Sequence, residues 1–338
     1  MGVSLKKIVK GHEISLNSLK GKRIGVDAFN TIYQFISTIR QYDGTPLMDS
    51  KGRITSHLSG LFYRNMNLLE KGIKLIYVFD GKPPSFKSVL KERIERRKHA
   101  QKEYQEAIKE KDYVSAKKWA QQGVSINEEI VKQSKELLKA MGISVIQAPE
   151  EGEAQAAYIN QKGDVWAVAS QDIDSVLFGC EHLIKNINIV GKRKVPGRNI
   201  YIKIEPVIIA SKEWLKNLGL TREQLIIASI LVGTDYNPGG VKGIGPAKAL
   251  KLVREEKNLN NILKRVNWNF DIDAREILNY FLNPVVEKNY TIKQEVFDEE
   301  KIKRILVDEY EFSEERIASR IEKAFKNNKK QKSLSSFF

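Results

Sequence analysis

One stretch constrains this chain more than any other: residues 149–174, PEEGEAQAAYINQKGDVWAVASQDID. It sets Glu151 with Glu153, and Asp172 with Asp174, around a short helix and an apolar strand over residues 165–169. Side chains on extended backbone alternate, so Asp172 and Asp174 share a side if the loop after the strand stays extended. Glu151 and Glu153 cannot both face one way in mid-helix, so they are expected at the helix start behind Pro149, where the chain is not yet helical. Four carboxylates then converge, and such a cluster repels itself unless cations neutralise it. Taken singly, each pair also fits a plainer role, because acids in a first helical turn favour the macrodipole and an acidic loop can simply be solvated. Pairing across one strand is what favours a site.

Two more strands end in an acid. Residues 23–27 (RIGVD) read as a brief buried strand closing on Asp27, and residues 74–79 (KLIYVF) as a second one with Asp80 immediately after it. In open α/β sheets the carboxyl ends of the strands form the ligand crevice, so acids there read as site residues. Helices are expected over residues 29–40, with Tyr33 close to Asp27 where it can stack on a base or serve as core, and over residues 56–71. A further helix over 125–141 and a strand over 143–146 lead into the opening stretch.

After Asp80 the composition changes. Gly81, Lys82, Pro83 and Pro84 break the backbone, and residues 85–122 read as one lysine- and arginine-rich helical stretch, dense at Lys87, Lys91, Arg93, Arg96, Arg97 and Lys98. A stretch this polar either projects into solvent or lines a charged ligand. The whole chain carries a formal charge of +15 over 338 residues, which suggests a polyanionic partner, nucleic acid first. A single cysteine, Cys180, excludes an internal disulfide framework and makes a cysteine-built zinc site implausible. No apolar run is long enough to span a bilayer, and the amino terminus lacks a signal-peptide core, so a reducing, cytoplasmic setting is expected.

Residues 191–198, GKRKVPGR, suit a basic hairpin between apolar segments. A strongly apolar helix over 225–232 ends in Gly233, Thr234 and Asp235, a seventh acid candidate. The glycines that follow, Gly239, Gly240, Gly243 and Gly245, precede Pro246, a good first helical residue. Glycines let backbone amides approach a phosphate, and Lys242 and Lys248 add charge, although a plain turn between helices has the same composition. It is not a Walker A loop, which needs Lys followed by Ser or Thr at fixed spacing. Residues 259–327 read as several short helices. The chain closes on a basic, polar linker and an apolar plug of Leu334, Phe337 and Phe338 with Gln331 beside it, which one tight helical turn would align.

The segments VDAFNTIYQF, SHLSGLFYRNMNLLEKGIKLIYVFDGKPP, PEEGEAQAAY, SQDIDSVLFG, LVGTDYNPGGVKGIGP, FSEERI and QKSLSSFF resemble the flap endonuclease 1 group of the structure-specific 5′ nuclease family, along the full chain. Ending directly after the clamp-binding box is similar to the archaeal members. The resemblance implies an α/β fold: a central, mostly parallel sheet flanked by helices, with a helical arch and a helix-two-turn-helix DNA-binding element. It implies two Mg2+ ions, with Mn2+ able to substitute: Asp27, Asp80 and Glu151 would serve one, and Glu153, Asp172, Asp174 and Asp235 would surround the other. Lys87 and Arg93 would be catalytic, stabilising the phosphate from the arch. DNA contacts would come from Tyr33, Arg40, Arg64, Glu151, Gly233, Asp235, Gly240, Lys242, Gly243, Gly245 and Lys248, with a K+ ion at the helix-two-turn-helix. Gln331, Leu334, Phe337 and Phe338 would bind the sliding clamp, PCNA.

On this basis residues 1–98 form an N-terminal nuclease region, 99–115 part of the arch, 116–258 an internal nuclease region, 259–326 a helical flank and 327–338 a flexible tail. The expected function is a monomeric flap endonuclease, with 5′-3′ exonuclease activity, acting on branched DNA in replication and repair. It would be nucleoid-associated in an archaeal cell and nuclear in a eukaryote. A related exonuclease or junction resolvase, and a catalytically silent clamp-associated scaffold, are the alternatives. Acids at all seven positions argue against the scaffold.

Overall fold

A computed structural model of the chain describes residues 11–87, 89–188, 191–194, 200–293 and 295–334, with backbone alone at 89–93, 191–194, 201–202 and 326–334. β1 (His12–Glu13) and a 3-10 turn (Leu16–Leu19) lead to β2 (Arg23–Asp27). Asp27 both ends that strand and caps α1 (Ala28–Thr38), accepting from the Asn30 N–H at 3.0 Å. α2 (Ser56–Glu70) then crosses to β3 (Lys74–Phe79). In β3, Leu75, Tyr77 and Phe79 pack into one core while Ile76 and Val78 pack into the other. That is the period-two pattern of a strand covered on both sides.

The basic stretch that the sequence suggests as one helical run is two helices, α3 (Val89–Lys109) and α4 (Tyr113–Gln122). The chain turns at Lys111, whose φ is 58°. Asp112 then restarts the helix by accepting from the Val114 and Ser115 N–H groups, each at 3.1 Å. Ala100, Ala107 and Ala116 are buried, so small side chains let two polar helices pack without an aliphatic core. α5 (Glu128–Ala140) follows, capped by Asn127, and leads to β4 (Ser144–Gln147).

α6 (Gly152–Gln161), β5 (Ala167–Ala169), the one-turn α7 (Asp174–Leu177) and β6 (His182–Lys185) complete the central region. The expected basic hairpin is present as β7 (Gly191–Lys194) paired antiparallel with β8 (Tyr201–Ile204). β9 (Val207–Ala210), α8 (Ser211–Leu218) and the apolar α9 (Arg222–Val232) come next. α10 (Pro246–Glu256), with Pro246 at its first position as expected, α11 (Leu259–Leu263), α12 (Ala274–Leu282), α13 (Glu299–Lys303), a π-turn (Arg304–Glu309) and α14 (Glu314–Leu334) finish the chain. Helical backbone continues through Leu334. Gln331 and Leu334 therefore sit on α14, with their side chains outside the described residues, as are Phe337 and Phe338 entirely.

The seven-stranded sheet runs β1-β9-β6-β5-β2-β3-β4. β6, β5, β2, β3 and β4 are mutually parallel, and β9 and β1 add an antiparallel edge. α1, α2, α5 and α14 cover one face, and α6, α9, α10 and α12 the other. From β2 the chain steps outward through β3 to β4, then returns to lay β5 on the opposite side of β2. Strand order reverses there, and in such sheets the carboxyl ends at the reversal open a crevice. The topology thus carries Asp27, Asp80, residues 151–153 and residues 170–174 to one rim.

Candidate active site

All seven expected acids, Asp27, Asp80, Glu151, Glu153, Asp172, Asp174 and Asp235, line one cavity of about 430 Å³ at that rim. Their delivery differs in detail from the expectation. Residues 170–173 coil instead of staying extended, so Asp174 opens α7. Asp172 and Asp174 meet the cavity through a turn, not through strand alternation. Glu151 is the residue before α6, with φ −77° and ψ 124°, as expected, whereas Glu153 already lies in its first turn. Gly152 lies between them because nothing larger fits: its N–H donates to Asp80 Oδ1 at 2.8 Å, and a Cβ there would stand 2.5 Å from the same oxygen.

Burial makes these acids reluctant to ionise together. Desolvation, reinforced by Asp27 and Glu151, pushes Asp80 up to about 8. Burial first, and Asp172 and Glu151 after it, raise Asp27 to about 6 against the opposing Asn30 and Ser170 hydrogen bonds. Glu153 is driven well above the usual carboxylate range by burial and then by Asp174, Asp27 and Asp172. Such a cavity calls for cations. One is built in: Lys87 Nζ lies 2.7 and 2.9 Å from the two Glu151 oxygens and 3.9 Å from Asp235. Burial pulls the Lys87 pKa down, but Glu151 and then Asp235 and Asp80 outweigh it, and the net shift is upward.

The donor set is all oxygen, which suits Mg2+ or Mn2+ and not a thiolate- or imidazole-seeking ion. Among the described residues no three metal-ligating side chains converge closely enough to cage an ion alone. Magnesium does not require that, because it keeps several waters and takes one or two carboxylates plus substrate phosphate. The residues present therefore fit a hydrated hard divalent ion.

The remaining expected site residues fall into groups. Tyr33 lines the cavity, 38% exposed, with its hydroxyl donating to the Gln121 carbonyl at 3.4 Å. Arg40 does not reach the cavity: it donates to the carbonyls of Ser37 at 3.2 Å, Gly44 at 2.7 Å and Ala120 at 2.8 Å, tying the end of α4 to the core. Arg64 is exposed on α2, away from the acids. Arg93 lies on α3 with its side chain outside the described residues. Arg96 and Arg97 of the same helix, named with it among the dense basic residues of the stretch but given no role there, line the cavity.

Between α9 and α10 the chain makes the expected glycine turn. Gly240 has φ 63°, and a Cβ there would lie 2.3 Å from Val232 backbone. Gly233 and Gly243 are also left-handed, Gly245 precedes α10, and Lys242 and Lys248 are exposed. Asn237, which sequence reasoning passed over, organises this turn. Fully buried, it accepts from the Thr234 hydroxyl at 2.7 Å and donates to the Ile230 carbonyl at 2.7 Å. Phe86 was also missed. Its ring packs on Tyr236 and Tyr280 at centroid distances of 5.5 and 5.2 Å and so holds the adjacent Lys87 at the rim.

A parallel sheet gathers acids at its reversal beneath a basic helical hairpin, and two family models place a chain so built in the XPG class of nucleases. The XPG N-terminal domain matches residues 1–103 and the XPG I-region residues 142–235. Flap endonuclease 1 from Pyrococcus abyssi is 53% identical over 342 residues, spanning 100% of this chain and 98% of its own length. That from Pyrococcus furiosus is likewise 53% identical, over 100% and 99%. The solved flap endonuclease-1 from Methanococcus jannaschii superposes with a TM-score of 0.76 at 38% identity, covering 98% of this chain and 100% of that one. The catalytic core of Rad2 in complex with DNA substrate shares the fold, with a TM-score of 0.70 at 23% identity over 96% and 99%. The chain belongs to the flap endonuclease 1 family. It is a structure-specific 5′ nuclease that cuts flapped DNA in replication and repair, and the family's nucleases use divalent metal ions. Among the described residues, no helix is long and apolar enough to cross a membrane.

Proposed function

We propose that this chain is a magnesium-dependent flap endonuclease in which the seven-acid cavity seats two ions and the arch delivers the counter-charge for the phosphate. The observation carrying this reading is the gathering of seven carboxylates around one cavity with, among the described residues, one largely buried lysine, Lys87, against them. Asp27, Asp80 and Glu151 would hold one Mg2+, and Glu153, Asp172, Asp174 and Asp235 the other, Mn2+ being able to replace either. When bound, the ions supply an activated water and neutralise charge at the scissile phosphate and the leaving 3′ oxygen.

The chain's own groups do the remainder. Lys87 sits at the rim as a desolvated ammonium, and transferring its hydrogen bonds from Glu151 to a phosphate oxygen frees Glu151 for metal while stabilising charge on the phosphate. Arg93, with Arg96 and Arg97 on the same helix, adds positive charge from above. Tyr33 offers a ring to an unstacked base. The turn from Gly233 to Gly245, with Lys242 and Lys248, would grip the duplex backbone, with a K+ ion bridging carbonyls and phosphate. Arg64 is exposed and free to meet the backbone of bound DNA, while Arg40 would first have to leave its carbonyls. Gln331, Leu334, Phe337 and Phe338 would dock the tail on the sliding clamp, PCNA.

The test is product mapping on a double-flap DNA during a magnesium titration, with Asp174→Ala alongside. Cleavage that rises with Mg2+, leaves a 5′ phosphate and disappears in Asp174→Ala is expected. Wild-type turnover by Asp174→Ala would remove the two-ion reading. For the tail, deletion of residues 331–338 should abolish stimulation by the clamp with unstimulated turnover intact.

A further inference from the structure

Two small polar side chains link the acids to one another, and neither is itself a carboxylate. Ser170, only 5% exposed at the end of β5, places its Oγ 3.1 Å from Asp27 Oδ2 and 3.1 Å from Glu153 Oε1. The same oxygen accepts from the Asp172 N–H at 3.2 Å. One hydroxyl proton serves two carboxylates, so Ser170 stays within reach of both whichever one it serves. Asn30, one turn into α1, closes the other side. Its backbone N–H donates to Asp27 Oδ1 at 3.0 Å, its Nδ2 donates to Asp172 Oδ2 at 3.1 Å, and its Oδ1 accepts from the Gln171 N–H at 3.3 Å.

We propose that Ser170 and Asn30 are positioning residues that fix the acids of the two ion seats relative to each other. The proposal rests on the assignment of those seats above. Asp27 comes from β2, Glu153 from α6 and Asp172 from the loop after β5; without a tie their relative placement is left to three independent backbone segments that repel one another. Ser170 links one seat's Asp27 to the other's Glu153 and Asp172. Asn30 holds Asp172 through its Oδ2 at the wall of the cavity. Partners that orient ligands in this way typically change metal affinity by about 10–100-fold when removed.

The test is calorimetric titration of the full chain with Mn2+ and with Mg2+, without DNA, beside the metal dependence of flap cleavage. Ser170→Ala and Asn30→Ala should each bind metal about ten-fold more weakly, with a matching rise in the metal concentration for half-maximal cleavage. Ser170→Thr, which keeps the hydroxyl, should restore most of the affinity. Asn30→Asp, which keeps the shape but turns a carboxylate on Asp172, should be at least as weak as Asn30→Ala. If Ser170→Ala fails to fold, the two Asn30 variants decide, since that side chain is partly exposed. Parent-like affinity in Ser170→Ala and Asn30→Ala would overturn the proposal and leave the ion seats standing. A parent protein that takes up no metal, or takes it up equally with Asp174→Ala, would overturn the seats and the proposal together.

Discussion

Replacing Asp80 with asparagine should make the metal-free protein more stable while abolishing its activity. Asp80 is pushed from 3.8 to about 8, by burial first and by Asp27 and Glu151 after it. A raised carboxyl pKa favours the folded state only below the unfolded value, so stability is lost as pH climbs from near 4 through about 8. In a site cut off from solvent, a shift of that size would amount at pH 8 to on the order of 5 kcal/mol. Asp80 is half-buried at the cavity wall, and solvent screening there brings the effect to about half of that, roughly 2–3 kcal/mol. Asparagine keeps the Oδ1 acceptor for the Gly152 N–H, so the substitution removes charge without orphaning the donor. In chelator at pH 8, Asp80→Asn should melt roughly 2–5 °C above the parent, and the gap should close toward pH 4. Saturating Mg2+ should stabilise the parent more at pH 8 than at pH 6, and the variant much less at either. Thermal or urea unfolding followed by tryptophan fluorescence measures all of this. A variant no more stable than the parent at pH 8, or a gap that ignores pH, would refute the account of a cavity strained by its own charge.

Four further outcomes are expected. Lys87→Met should lower turnover by about a hundred-fold yet bind Mn2+ several-fold more tightly without DNA, because the ammonium on Glu151 competes for that carboxylate; calorimetry and single-turnover cleavage separate the two effects. Gly152→Ala should cost roughly a hundred-fold in turnover with little change in circular dichroism, since its Cβ would stand 2.5 Å from Asp80 Oδ1 and displace it. Arg40→Lys should loosen the arch, because one ammonium cannot span the Ser37, Gly44 and Ala120 carbonyls; amide exchange over residues 113–122 should speed up while the sheet stays protected. Burial lowers the His57 pKa from 6.5 to about 4, so His57 contributes stability above pH 6.5 that is lost as pH falls through 4, on the order of 3 kcal/mol. His57→Leu should flatten that acid limb in urea unfolding.

How much of this was legible in the sequence depended on whether a residue's position followed from periodicity. Asp27 and Asp80 could be placed because each follows an apolar run whose end is visible in the sequence, and a parallel sheet carries strand ends to one rim. The coil at residues 170–173 could not be foreseen from alternation: Ser170 accepts from the Asp172 N–H, a side-chain bond that offers the backbone a turn in place of extension. The break at Lys111 and Asp112 escaped for a similar reason, as neither Gly nor Pro marks it and only an Asp cap does. The three carbonyl partners of Arg40 could not be read from the chain either, since no local pattern announces them.

The sheet and the arch also solve one electrostatic problem between them. A chain of net charge +15 sets Arg96 and Arg97 of the arch and seven acids around one recess, so the field of the arch cations adjoins that of the acids. A polyanion drawn in by the first field would be repelled by the second unless the acids were neutralised. Lys87 supplies one charge from the protein itself, held at the rim by the ring of Phe86 against Tyr236 and Tyr280. One lysine cannot offset seven carboxylates, and the remainder is left among acids that burial first, and neighbouring carboxylates second, hold above the usual range at Asp27, Asp80 and Glu153. Divalent ions would remove that remainder and supply the chemistry in the same act, so DNA backbone should be accepted in the recess only when the site is competent to cut it.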